Sequence, residues 1–151
     1  MSKTLTPRAE QTSLLATFYI RDALCALDAA GVQEVIRLGA RTPVPHAPPE
    51  VLGIINLRGR IVTILDAGLK LGLARLVPGP ETRVFIIEDS GEFIGVLVDR
   101  VGEVVEMEAG QLAPPPANVG QTQSRFFKGV YRGRGKVITL VDVHQLLMES
   151  A

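Results

Sequence analysis

One stretch of this 151-residue chain occurs twice. Residues 53–66, Gly-Ile-Ile-Asn-Leu-Arg-Gly-Arg-Ile-Val-Thr-Ile-Leu-Asp, align without a gap on residues 129–142, Gly-Val-Tyr-Arg-Gly-Arg-Gly-Lys-Val-Ile-Thr-Leu-Val-Asp. The offset is constant at 76 (129 − 53, 134 − 58, 142 − 66). Glycine, the Arg-Gly pair, threonine and aspartate recur in step, and the positions between exchange one aliphatic for another. Two copies at so long a spacing exclude a solenoid and point to two related β-subdomains. Each copy reads as a strand, a tight turn at Arg-Gly and a second, very apolar strand.

A second match extends the repeat. Val32-Gln33-Glu34-Val35-Ile36 corresponds to Val101-Gly102-Glu103-Val104-Val105 at an offset of 69. The difference, 76 − 69 = 7 residues, falls in the loop around Pro114-Pro115-Pro116, where insertions are tolerated. Both halves then read alike: hairpin, bend, strand, proline loop, hairpin, short helix. Residues 1–13 are polar and without a period, and are expected to form a disordered tail. Residues 14–20 and 24–27 make the first hairpin. In 32–38, strict alternation would put Val32, Glu34 and Ile36 on one face, an odd place for a solvated charge. Residues 39–49 form a proline loop, and 48–53 have the order of a single helical turn. The strand at 61–65 is apolar on both faces except at Thr63, and so is central. Asp66 caps a short helix over 68–73. A hairpin about Asp89-Ser90-Gly91 opens the second half, and a helix over 143–148 closes it. The expectation is one mainly β domain over 14–151, of two intertwined lobes at about 14–80 and 81–151, packed through apolar faces.

Little catalytic chemistry is on offer. Sixteen basic and sixteen acidic residues cancel, giving no long-range pull toward nucleic acid or an anionic membrane. Cys25 is the only cysteine, so no disulfide forms within the chain, and it reads as a small buried hydrophobe. His46 and His144 lie far apart without clustered co-ligands, which argues against zinc. Gly133-Arg134-Gly135-Lys136 has the wrong spacing and the wrong following element for a phosphate loop. Asp66 and Asp142 read as helix caps rather than an acid–base pair. No signal peptide or span of ~20 apolar residues is present, so a soluble, cytoplasmic protein is expected.

Two patches carry possible recognition. Arg125, Lys128, Arg132, Arg134 and Lys136, interleaved with Phe126, Phe127 and Tyr131, would suit single-stranded nucleic acid if the rings were exposed. Arg58 stands at the hairpin turn, two residues after Asn56. Arginine is favoured at protein interfaces for its planar, multi-donor head.

At these residues the chain resembles the CheW-type chemotaxis coupling proteins. The resemblance runs from Phe18 to Leu147. It rests on the order of Val32-Gln33-Glu34-Val35, Val44-Pro45, Gly53, Asn56-Leu57-Arg58-Gly59, Ile61-Val62 to Asp66, Val98-Asp99 to Glu103-Val104, and Leu140-Val141-Asp142 ahead of Leu146-Leu147. It implies two SH3-like five-stranded β-barrel subdomains with short helices. It also implies an adaptor with no enzymatic activity and no cofactor or metal. The implied partners are the regulatory domain of a CheA-type histidine kinase and the cytoplasmic tip of a methyl-accepting chemoreceptor, with no nucleic acid, no membrane insertion of its own, and recruitment to receptor arrays. By the same resemblance Val32, Glu34, Gly53, Asn56, Leu57, Arg58 and Gly59 form the contact region. The family usually has Pro at Thr63 and Leu at Ala67, departures compatible with a paralogue serving a pilus or surface-sensing system.

Overall fold

The computed structural model describes residues 12–115, 126–133 and 135–148. Its ten strands are β1 (Thr12–Ile20), β2 (Ala23–Asp28), β3 (Val32–Arg37), β4 (Val51–Leu57), β5 (Arg60–Asp66), β6 (Arg83–Asp89), β7 (Glu92–Val98), β8 (Arg100–Glu108), β9 (Phe127–Gly133) and β10 (Lys136–Val141). Helix α1 (Ala67–Lys70) follows β5, and α2 (Val143–Met148) follows β10. The chain is thus mainly β, in two five-stranded sheets ordered β8-β1-β2-β10-β9 and β3-β6-β7-β5-β4.

Neither sheet is built from one half of the sequence. The first takes β1 and β2 from the N-terminal half and β8, β9 and β10 from the C-terminal half. The second takes β3, β4 and β5, then borrows β6 and β7. The N- and C-terminal parts of the repeat thus exchange their first hairpins, β1–β2 and β6–β7. The repeat survives this exchange residue by residue. Thr139 faces Cys25 in the parallel pair β10–β2, and Thr63 faces Ile94 in the parallel pair β5–β7 (139 − 63 = 76, 94 − 25 = 69). Even the turn strain repeats: Arg21 has φ 57° and Ser90 has φ 55° (90 − 21 = 69).

Alternation along the strands divides the apolar residues among three clusters. The first sheet closes on Leu15, Val105, Tyr131 and Ile138. The second closes on Val62, Ile64, Val84 and Ile86. Between the sheets lies a central cluster that includes Phe18, Ile20, Phe85, Ile87 and Val98. Phe18 and Phe85 meet there edge to face at 5.3 Å. Cys25 belongs to this cluster, and burial pushes its thiol up to about 12.

Several local expectations change. The strand β1 begins at Thr12, paired with Glu108, so Thr12 and Ser13 are not part of a tail; residues 1–11 lie outside the described residues. The helical turn expected over 48–53 is a tight turn with one bond, Val51 N–H to Pro48 O at 3.0 Å, after which β4 starts at once. Here pairing with β5 outweighs a local proline signal. The helix after Asp66 is four residues long, from Ala67 to Lys70.

Val32 does not share a face with Glu34 and Ile36. The register of β3 on β6 shifts between Val32 and Glu34, so Val32 faces Ile87 while Glu34 faces Ile86 and Ile36 faces Val84. An extra residue on one strand turns everything beyond it to the other side. The same bulge occurs on β8, where Val101 faces Phe18 and Val104 faces Ala16.

Candidate functional site

The candidate site forms where the two edges of the second sheet approach each other. β3 and β4 are its outer strands and do not pair, yet both line one apolar interior with Ile36, Ile55 and Leu57. At the rim of this opening Glu34, turned inward by the bulge, meets Arg58 from the β4–β5 turn. The guanidinium makes two contacts, Nη2 to Oε1 and Nη1 to Oε2, the latter at 3.5 Å. The pair staples the open seam of the barrel.

The turn is built to present Arg58. Leu57 pairs with Arg60, leaving a two-residue loop of Arg58 (φ 51°) and Gly59 (φ 87°). Two successive positive φ values fit the right-handed twist of the strands, but burden any residue other than glycine at the first position. Asn56 holds the loop by accepting the Gly59 N–H through Oδ1 at 2.8 Å. Asn56, Arg58 and Gly59 are exposed, while Leu57 is half-buried.

Gly53 plays a different part. It is buried in β4 at φ 149°, where a Cβ would lie 2.6 Å from the Thr42 carbonyl oxygen. Thr42 bonds reciprocally to Ile54, N–H to O at 2.9 and 2.8 Å, and so ties the proline loop to the edge of β4. Gly129 serves an identical bridge between Ala113 and Val130. The expected contact residues thus divide: Glu34, Asn56, Leu57, Arg58 and Gly59 converge on one rim, Val32 packs against the central cluster, and Gly53 shapes the backbone behind them.

Sequence reasoning named no residues for a second surface. Val35 faces Phe85, and Val104 faces Ala16, so both point along the central cluster between the sheets. Yet they are 44% and 59% exposed. Val101 and Leu14 share this inner side and are also exposed. The repeat relates Val35 to Val104 (104 − 35 = 69). These aliphatic side chains, on the equivalent edge strands β3 and β8 and on β1, are thus left uncovered. The offset-69 match held this signal, but alternation without the bulge hid it.

Other candidates lose their function here. Phe126, Phe127 and Tyr131 are core residues, 5–8% exposed, so they offer bases no stacking platform. Lys128, Arg132 and Lys136 are exposed, and Arg125 and Arg134 lie outside the described residues. Asp66 caps α1 by accepting the Leu69 N–H at 3.2 Å, and Asp142 accepts the Gln145 N–H at 3.1 Å. Cys25, buried and protonated, is no nucleophile. Thr63 is half-buried in a strand paired on both sides, and Ala67 is buried in the central cluster. Among the described residues no helix is long and apolar enough to cross a membrane, and no three metal-donating side chains cluster.

Comparison with known proteins agrees with this geometry. The family model of the CheW-like domain matches residues 15–151. The chain is 30% identical over 129 residues to chemotaxis protein CheW of Rhizobium meliloti (strain 1021), covering 85% of this chain and 83% of that one. It is 29% identical over 137 residues to protein FrzA of Myxococcus xanthus, covering 88% and 84%. Among solved structures, scaffolding protein TtCheW from Thermoanaerobacter tengcongensis superposes with a TM-score of 0.81 at 30% identity, covering 89% of this chain and 86% of that one. With two intertwined five-stranded sheets and a family match over nearly its whole length, the chain belongs to the CheW-like family.

Proposed function

We propose that this chain is a non-enzymatic adaptor that couples the cytoplasmic tip of a chemoreceptor to the regulatory domain of a CheA-type histidine kinase. The observation that carries the reading is Arg58. Its side chain is 69% exposed, so its pair with Glu34 contributes at most ~1 kcal/mol to folding. Its φ of 51° works against the turn. An arginine held in an unfavourable backbone state for so little stability is better explained by contact with a partner, for which it keeps spare N–H donors. The exposed aliphatic side chains at Val35 and Val104 suit one face of an amphipathic receptor helix. The Arg58 rim and these aliphatic side chains lie on opposite faces of β3, as an adaptor with two partners requires.

The test is reconstitution with a chemoreceptor cytoplasmic fragment and a CheA-type kinase, read by co-sedimentation and kinase activity. Arg58→Ala should lose partner capture by tenfold or more, about 1.4 kcal/mol, while its melting curve stays near wild type. Val104→Glu should lose receptor capture. Full capture by both folded variants would refute the assignment.

A further inference from the structure

What joins the two halves of the chain is almost wholly non-covalent. The first half supplies β1 to β5 and the second β6 to β10, and four ladders cross between them: β1 on β8, β2 on β10, β3 on β6 and β5 on β7. Among the described strands, the pairs made within one half are the hairpins β1–β2 and β4–β5 in the first and β6–β7 and β9–β10 in the second. The edge-to-face contact of Phe18 with Phe85 also crosses from one half to the other. Cys25 is the only cysteine, so no disulfide within the chain reinforces the union.

The backbone passes from one half to the other once, through residues 77–81, and both ends of this link are anchored. Before it, Leu76 is buried and donates its N–H to Asp66 Oδ2 at 2.9 Å. After it, Thr82 is buried and leads directly into β6. Val77, Pro78, Gly79, Pro80 and Glu81 are all exposed, Val77 at 83%, and none of the five joins an apolar cluster. A single turn holds the link bent: Gly79 N–H donates to Thr82 Oγ1 at 2.8 Å, Thr82 N–H to Gly79 O at 3.2 Å, and Arg83 Nη1 to Pro80 O at 2.9 Å. The sequence itself favours the opposite. Prolines at 78 and 80 fix their own φ near the polyproline value and push Val77 and Gly79 toward extended backbone.

Straightened, these five residues reach roughly 17 Å at ~3.3 Å each. That parts the halves without changing either. Each half then presents the strand edges and apolar faces that the complementary half of a second copy fits. Two copies that exchange second halves rebuild all four crossing ladders and all three apolar clusters twice, and lose only the hydrogen bonds of the turn. Glu34, Asn56 and Arg58 all belong to the first half, so each rebuilt unit keeps its rim.

We propose that a second copy of this chain is a binding partner of the first, by exchange of halves across residues 77–81 into an intertwined dimer. Three features select that partner. Every ladder between the halves is open to exchange. The one covalent link is exposed and bounded by buried residues. Its two prolines suit the extended form that the dimer needs better than the bent form that the single chain needs. No new complementarity is required, because the surface bound is the one already used within the chain. Such a dimer carries two Arg58 rims on one particle, and so engages a paired target with an avidity that a single chain lacks.

The test uses the full chain with Leu14→Cys and Glu106→Cys, beside the unaltered chain. These two exposed residues face each other across the β1–β8 ladder, first half against second. Directly opposed antiparallel residues stand ~4.5–5.5 Å apart at Cα, a distance a disulfide spans. Cys25 is buried and does not compete. The chain is unfolded in urea with reductant, refolded at high and at low concentration, sized by light scattering, then oxidised and run on a denaturing gel without reductant. Refolding at high concentration is expected to give a species of twice the chain mass. It should persist on dilution, since release requires the halves to unfold, and it should run as a covalent dimer on the gel. Refolding at low concentration should give a monomer closed by an internal disulfide. Deleting Pro78 and Gly79 should raise the dimer fraction at least tenfold, because the shortened link cannot turn, and inserting a Gly-Ser linker after Gly79 should lower it. A dimer in solution that runs as a monomer on the gel is ordinary surface association and would overturn the proposal. So would monomer alone at every concentration, or a dimer fraction in folded chains that ignores the length of the link.

Discussion

Gly53→Ala separates a contact residue from a backbone one. The new Cβ would sit 2.6 Å from Thr42 O and 3.1 Å from Thr42 C, at a φ of 149° that alanine rarely adopts. Relief requires the proline loop to leave the edge of β4, breaking the two Thr42–Ile54 bonds of 2.9 and 2.8 Å. Two backbone bonds at ~1 kcal/mol each and backbone strain of ~1–3 kcal/mol give a loss of about 3–5 kcal/mol. At roughly 2–4 °C per kcal/mol for a chain of this size, the melting temperature should fall by about 6–20 °C. The assay is thermal melting by circular dichroism, with urea unfolding to confirm an unchanged m-value. Gly129→Ala is the internal control. Its Cβ meets Ala113 O at 2.4 Å, but its φ lies outside the left-handed range, so its loss should be smaller by the strain contribution. A Gly53→Ala chain that melts like wild type yet fails to bind its partners would refute the backbone role and return Gly53 to the contact surface.

The buried ion pair gives a second prediction. The Lys70 side chain is 3% exposed, its Nζ lies 3.5 Å from Glu50 Oε2, and among the described residues no hydrogen bond satisfies it. Lys70→Met should leave stability equal or raised by ~1 kcal/mol in urea unfolding, whereas Glu50→Ala should cost ~3 kcal/mol by stranding the charge. Asp66→Ala should cost ~2–3 kcal/mol because it removes two N–H partners, Leu69 and Leu76, from a fully buried site. Asp142→Ala, which removes the Gln145 cap, should cost ~1 kcal/mol in the same assay. Cys25 should resist alkylation at pH 8 until the chain unfolds. The unfolded thiol ionises near 9.0 while the folded one keeps its proton to about 12, so stability should fall as pH rises through that window. Replacing Cys25 with Ala should flatten that fall in pH-dependent urea titrations.

The repeat read from the sequence carries most of the architecture, because duplicated residues keep duplicated partners. Thr63 and Thr139 sit at matching points of matching parallel pairs. The Arg58 turn was legible for a local reason: an Arg-Gly pair between two apolar strands leaves few other backbones. What stayed hidden depends on residues distant in the chain. The bulge after Val32 exists because β6 holds the register, and nothing in Val32-Gln33-Glu34 announces it. Alternation therefore placed Glu34 beside Val32, when its neighbours are Ile36 and Arg58. The exposure of Val35 and Val104 was obscured in the same way. The basic–aromatic run misled because chemistry was read without burial, and its rings belong to the core.

The exchange of first hairpins governs how the molecule can be made. A ribosome delivers β1 and β2 long before β10, the strand they must join, and β3 to β5 wait for β6 and β7. The second sheet is not complete until β7 ends at Val98, and the first not until residue 140 pairs with Ala26. Folding of this chain should therefore be largely post-translational and slow for its length, since its contacts span long sequence separations. Until then the nascent chain carries open strand edges that invite pairing with neighbours. Two separately synthesised halves would meet the same requirement from opposite sides: each lacks the hairpin that the other carries, so neither has a stable fold except with its complement.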